Sequence, residues 1–271
     1  MPITADPRHC FRSTHSCRGW ARALLAILGL AWAASGRAAD PLVISSISTT
    51  PSPLVSALVM REAYAAIGQP FVIRLYPAER ALVEANNGSA DASLHRSERV
   101  EEKFPHLVRI PVPINMVDVV TVVRRPDLQL RSWASLKPYR LGVVRGIVLY
   151  ERRTARMHVT KVQYDEELLA MLANDRIDAA VFDRSDALRF LNRPAYRGLR
   201  ISEPSLEQRP LYHYVNREHA ALIPRLQKAL EQMQREGRIK AIRDEVIAIL
   251  KRGGELPPFP MVKNPQEEQT R

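Results

Sequence analysis

Two charged residues stand just past strand-like runs, where they could hold opposite ends of a small polar molecule. Arg96 follows the run 90–94, and Asp183 follows 177–182. An arginine fork holds both oxygens of a carboxylate, and an aspartate pairs with an ammonium. Each also has a plainer reading: Arg96 as a surface residue opening a charged helix, Asp183 as the cap of a helix over 185–191. Gly146 ends a third run; the amides after it either cradle an anion at a helix N-terminus or make a tight strand-to-helix turn. Tyr76 ends the run 71–76 and can stack on a ligand or pack at the strand end. Arg80, on the next helix, can reach the same molecule or point to solvent. Asp91 and Asp178 open their strands, so they sit at the opposite end and are read as structural.

Other chemistries find little support. The seven histidines do not cluster. His213 and His219 are six apart and His95 and His106 eleven apart, spacings that do not point to a metal centre. No cofactor-binding loop and no nucleophile motif is present, so neither a cofactor nor a metal is expected. Glu79 and His95 are the general acid or base candidates near the proposed site. The chain is read as a binding protein rather than an enzyme.

The elements that must position these residues alternate. Residues 42–44 form a strand, and 54–67 a helix ended by Gly68. A strand at 71–76, a helix at 78–86 and a strand at 90–94 follow, giving βαβαβ with short loops, the pattern of a mostly parallel sheet. Residues 107–110 and 117–123 are two further strands. A second unit opens at Trp133-Ala134-Ser135-Leu136. It repeats the pattern with strands at 140–144, 159–162 and 177–182 and helices at 147–156, 165–174 and 185–191. A strand at 211–215 can cross back. Ile223, Leu226, Leu230 and Met233 then mark one helix, and Ile239, Ile242, Val246 and Ile249 a last one. Ligands in such sheets bind beyond the carboxyl ends of the strands, and two facing units bring those ends to one cleft.

The 271 residues carry a formal charge of +11, with 46% hydrophobic and 25% charged residues. That is ordinary globular composition, large enough for a core without staples. No basic run exceeds two adjacent residues, so the charge reads as spread rather than as a nucleic-acid surface. Arg18 and Arg22 precede an apolar run at 23–34, followed by small residues. This is the layout of a secretory signal peptide, with cleavage expected between 33 and 39. The alternative is an N-terminal anchor. Cys10 and Cys17 both precede the apolar run, so the mature chain is expected to lack thiols.

Four stretches give the chain a family resemblance. Asn87-Gly88-Ser89-Ala90-Asp91 resembles an "sGxxD" turn and strand. Leu136 to Gly146 resembles "LxGxxxGVxxG". Leu172 to Asp183 resembles "aLxxGrvDAvvxD", and 230–242 resembles "aLxxmxxdGxxxxI". Together, in this order, they resemble the type 2 periplasmic binding proteins, in particular the family-3 solute-binding proteins of ABC transporters, over roughly 40–250. The chain departs from the pattern at Ser93-Leu94-His95-Arg96, where no Thr-Pro-Glu-Arg follows, and at Ile147, where the family carries Ser or Thr.

The resemblance implies a two-lobed α/β fold, each lobe a mostly parallel sheet flanked by helices, joined by two hinge crossings. The expected limits are 1–39 for the signal, 40–120 with 215–250 for one lobe, 121–214 for the other, and 251–271 for a tail. Hinges are expected at 119–124 and 208–215. It also implies a periplasmic monomer that captures a small charged, amino-acid-like or other polar solute for a membrane permease. A sensor that reports to a membrane receptor and a dehydratase-like enzyme on the same fold are the alternatives. Arg96, Asp183, Tyr76, Arg80 and Gly146, read from their places at strand ends and on the helix that follows, are the expected ligand-binding residues.

Overall fold

A computed structural model describes residues 40–260. The expected signal at 1–39 with both cysteines, and the tail end at 261–271, lie outside the described residues. Among the described residues, no helix is long and apolar enough to cross a membrane.

The strands are β1 (Leu42–Ser46), β2 (Phe71–Leu75), β3 (Ala92–Arg96), β4 (Leu107–Val123), β5 (Leu141–Val144), β6 (Val159–Val162), β7 (Ala179–Asp183) and β8 (Arg200–Asn216). The helices are α1 (Pro51–Ala66), α2 (Ala78–Asn86), α3 (Val148–Thr154), α4 (Asp165–Ala173), α5 (Arg184–Leu191), α6 (Ile223–Arg235) and α7 (Arg238–Lys251).

The hydrogen-bonded order is β2-β1-β3-β8-β4-β7-β5-β6. β1 pairs parallel with β2 and β3, and β5 pairs parallel with β6 and β7. The middle is antiparallel: β3 with β8, β8 with β4, and β4 with β7. The sheet as a whole is therefore mixed, with its parallel strands grouped in the two halves. Three parallel strands at each end are completed by opposite halves of the same long pair. β4 and β8 each run 17 residues. Their register shifts between Arg109 and Asn115 and again between Val119 and Thr121.

Burial sorts the side chains into separate cores. Ile44, Leu58, Ile73, Leu94, Ile114, Val215, Leu226 and Ile242 pack around α1, α6 and α7. Ala85, Leu107, Tyr212 and Tyr214 cover the opposite face under α2. Val120, Leu168, Phe182 and Phe190 form one face of the second half-sheet, and Val119, Leu136, Val143 and Val181 the other. α1 is buried along its whole first half, Pro51 to Met60, as a helix apolar on every side must be. α4 opens with Asp165, Glu166 and Glu167, which favour the positive end of its dipole. Gly142 is needed for close approach: a Cβ there would lie 2.5 Å from Leu168 and 2.6 Å from Ile177.

Candidate ligand-binding site

The register aims two strand ends at the middle of the β4–β8 ribbon. β3 runs against β8 from Ala92 opposite Val215 to Arg96 opposite Tyr212. β7 runs against β4 from Ala179 opposite Val123 to Asp183 opposite Val119. Between them the ribbon passes from the Pro113–Tyr212 pair to the Val119–Glu207 pair. Both carboxyl ends thus point into one space.

On the first lobe, Arg96 is half-buried. Its Nε and Nη2 are shielded from solvent and have no hydrogen-bond acceptor. Burial lowers this guanidinium to about 10. Its neighbour His95 is held from behind: Ser56 Oγ lies 2.6 Å from His95 Nδ1. Asn115 Nδ2 donates to Ser56 Oγ (3.1 Å) and to the Ser52 carbonyl (2.9 Å). Burial first, then the Arg96 charge and His213, push the His95 imidazole down to about 3, so it is neutral. Ser56 has one proton, and its other contact, to the Ser52 carbonyl, is long at 3.5 Å. The proton therefore goes to His95 Nδ1, which leaves the ring proton on Nε2. Behind this layer, His213 Nδ1 donates to the Leu94 carbonyl (3.0 Å) and its Nε2 accepts from the Tyr64 hydroxyl (3.0 Å). Burial lowers His213 to about 4. The Ser93 hydroxyl is also buried without a partner.

The second lobe presents carboxyl groups. Asp183 caps α5: its Oδ1 accepts from the Ser185 amide (2.9 Å) and the Ser185 hydroxyl, and its Oδ2 accepts from the Asp118 amide (3.1 Å). Burial raises its pKa. Asp186, one turn on, is raised well above the carboxyl range by burial and by the nearby Asp183 and Asp165, and its Oδ1 is shielded without a hydrogen-bond partner. Burial, with Glu166 alongside, lifts Asp165 to about 6. Asp118 pairs with Arg184 at 2.5 Å, and Arg184 reaches Glu203 at 2.5 Å and 2.8 Å. Glu207 accepts from Trp133 (2.9 Å), Arg153 (2.9 Å) and Arg209 (2.6 Å). These contacts fix both crossing strands to the second lobe. Among the described residues no ion pair or hydrogen bond joins Arg96 to Asp183.

The remaining expected residues have local partners. The Tyr76 amide donates to the Ser46 carbonyl (2.9 Å), and its hydroxyl accepts from Arg74 (3.4 Å). Arg80 sits 6.0 Å from the Tyr76 ring centre and pairs with Glu84 at 3.0 Å, with its side chain 66% exposed. Gly146 has φ +87° and donates its amide to Glu151 Oε1 (3.1 Å). That bond is the chief reason Glu151 titrates low; the turn supplies its own anion. Composition and spacing did not single out Ser56, Asn115 or Asp186. A Ser among the apolar residues of the first helix and an Asn between the expected strands 107–110 and 117–123 were the available signals.

The lobes also touch beside the cleft. α5 packs on α1 and α7, Leu188 joins the first lobe's core, and Asn192 donates to the Leu250 carbonyl. A hollow of about 600 Å³ lies elsewhere, between the far ends of α1, α6 and α7, edged by Glu62, Lys228 and Arg238. It is remote from both strand ends. Among the described residues no group of three or more His, Cys, Asp or Glu is arranged to hold a metal.

No family model matches the sequence, and no curated protein matches it. Solved structures do. A histidine kinase sensor domain with similarity to periplasmic binding proteins aligns with a TM-score of 0.63 at 16% identity, over 78% of this chain and 97% of its own. The amino acid ABC transporter substrate-binding protein AbpA of Streptococcus pneumoniae, bound to L-arginine, aligns at 0.61 and 13% identity, over 78% and 95%. The periplasmic VFT2 domain of Bordetella pertussis BvgS aligns at 0.56 and 22%, over 78% and 92%. The chain has the type 2 periplasmic-binding-protein fold. In this periplasmic-binding-protein fold β4 and β8 form the long ribbon shared by both halves of the sheet, and Arg96 and Asp183 each end a strand beside it. The similar structures are binding and sensor proteins.

Proposed function

We propose that this protein is an exported solute-binding protein that captures a small charged molecule between its lobes, with Arg96 as the anchor, and hands it to an ABC-type permease. One observation carries the reading. A buried guanidinium edge without acceptors is costly, and in a fold whose cleft opens at that edge, an anionic solute would satisfy it. His95 and Ser93 flank the anchor, and Asp183 and Tyr76 wall the cleft. Arg80 and Gly146 are left out, because Glu84 and Glu151 already satisfy them. The expected signal at 1–39 supports a periplasmic location, and no catalytic step is proposed. The lobes are taken as 40–120 with 215–250, and 121–214. The bending points are drawn slightly earlier, near 115–118 and 207–210, because Val117 and Val119 pack with the second lobe's core and Tyr212 with the first's.

A sensor role has its own support in the likeness to the histidine kinase sensor domain and the BvgS domain; its partner would be a membrane receptor. Native mass spectrometry of protein prepared from periplasm tests the shared part of both readings. A retained anionic solute, lost in Arg96→Ala, is the expected result. A folded protein that retains no solute and binds no anion in calorimetry would rule out the anchor.

A further inference from the structure

We propose that Asn115 and Ser56 are positioning residues: they turn His95 so that its Nε2–H stands beside the Arg96 edge as a second donor to the bound solute. This deepens the reading of Arg96 as the anchor and rests on it.

Two histidines near the anchor are used differently. His213 is fully buried and spends both ring nitrogens inside the protein, Nδ1 on the Leu94 carbonyl and Nε2 on the Tyr64 hydroxyl, each at 3.0 Å. It is a core residue. His95 spends only Nδ1, on Ser56 Oγ at 2.6 Å. Among the described residues nothing bonds its Nε2, and that atom is not one of those shielded without a partner. A ring tied on its inner side and bare on its outer side can give its remaining proton to a guest.

The ring also lies close enough to Arg96 to feel its charge. Strict alternation along β3 would send two adjacent side chains to opposite faces. The register with β8 shifts between Ser93 and Arg96, and a shift of this kind re-aims side chains.

The relay behind His95 has one polarity. Asn115 Oδ1 accepts from the Met116 amide (2.8 Å), which assigns the two ends of its side-chain amide. Its Nδ2 protons then go to the Ser52 carbonyl (2.9 Å) and to Ser56 Oγ (3.1 Å). Ser56 accepts from β4 and donates toward β3. With the relay reversed, the Ser56 proton would have only the Ser52 carbonyl at 3.5 Å, which Asn115 already uses. Every link therefore runs from Asn115 to His95, and the ring keeps its proton on Nε2.

The donor carries no charge of its own. Burial, then Arg96 and His213, hold the ring neutral; α1 and β4 act on it through Ser56 and Asn115, which do not titrate. A second cation beside the guanidinium is thus avoided, and the donor stays the same across the range in which an ordinary histidine switches, about pH 5 to 8. Asn115 belongs to β4, at the edge of the stretch where its register with β8 shifts. The strand shared by both halves of the sheet therefore sets the second donor.

Nitrogen NMR of the imidazole rings tests this on the full protein, with His95 assigned by its loss in His95→Gln. The expected result is the Nε2–H tautomer, unchanged from about pH 5 to 8. An Nδ1–H tautomer, or an imidazolium forming in that range, would overturn the proposal. Acetate, a minimal carboxylate, should move both His95 Nε2 and Arg96 Nε, with sodium chloride of equal ionic strength as the control. His95 should not respond in Arg96→Met. A response at Arg96 alone leaves the anchor and removes His95 as a donor; a response at neither takes the anchor reading down as well. Ser56→Ala should move His95 toward mixed tautomers and weaken acetate about threefold or more, with a thermal melt confirming the fold. An unchanged ring signal in the folded variant would show that Ser56 does not position His95. The parent spectra decide the tautomer and the acetate contact even if that variant does not fold.

Discussion

At the end of β3, Arg96 has two shielded N–H groups and no acceptor. At the end of β7, Asp183 has both oxygens occupied by Ser185 and Asp118. The two positions are topological equivalents, each the last residue of a strand beside the shared ribbon. Their difference separates two meanings of a charged residue at a strand end. The aspartate completes its own lobe by starting α5. The arginine's Nε and Nη2 bond nothing within its lobe, which is why it is the residue proposed as the anchor.

The sharpest way to break this contrast is Arg96→Met. It should raise the melting temperature of the ligand-free protein, because an unmatched buried charge is gone. It should also lower solute affinity about thirtyfold or more. Opposite signs in thermal melts and calorimetry are the expected pattern. Loss of both stability and binding would show that Arg96 supports the fold.

Acid should act oppositely on the two lobes. His95 and His213 fall from an ordinary 6.5 to about 3 and about 4. The unfolded chain therefore takes protons that the folded chain refuses, and their contribution is lost as pH falls below about 6.5. Asp165 is raised from 3.8 to about 6, so it costs stability above that value and the cost fades on acidification. Asp165→Asn should thus melt on the order of 5 °C higher than the parent at neutral pH. The gap should close by about pH 4. A gap independent of pH would assign the gain to something other than the proton.

Asp183→Ala should cost about 1 kcal/mol through the lost cap, and Asp183→Asn much less, since Asn caps as well. Equal losses in denaturant titrations would mean that charge, not capping, is what α5 needs. The smallest effect belongs to Arg80→Ala. An exposed pair four residues apart is worth about 0.5 kcal/mol or less. Affinity should not move; a tenfold loss would bring Arg80 back into the cleft.

Most elements were legible because their apolar periods are clear. Strands β1, β2, β5 and β6 and helices α2, α4, α5 and α7 fall within two or three residues of their expected limits. The ribbon was not. Pro111 and Pro113 split β4 into two apparent strands, because proline removes a ladder donor, whereas the structure absorbs them where the register shifts. Residues 200–210 carry Pro204, Pro210 and four charged side chains, which hid a strand held by ion pairs as much as by burial. At the site, strand ends placed Arg96 and Asp183, since ends of runs can be read from sequence. Their hydrogen-bond partners were not legible: Ser56 and Asn115 lie 39 and 20 residues from His95 and Arg96's strand and meet it through tertiary packing.

The 17-residue strands β4 and β8 also decide how the molecule can be taken apart. β8 lies between β3 and β4 in one half, and β4 between β7 and β8 in the other. A fragment that stops before β8 strands β3 without a neighbour on one side and strips the first half-sheet of its centre. A fragment that begins after β4 deprives β7 of its partner. Neither lobe can be excised whole from this chain, and damage to the ribbon at any point is felt by both.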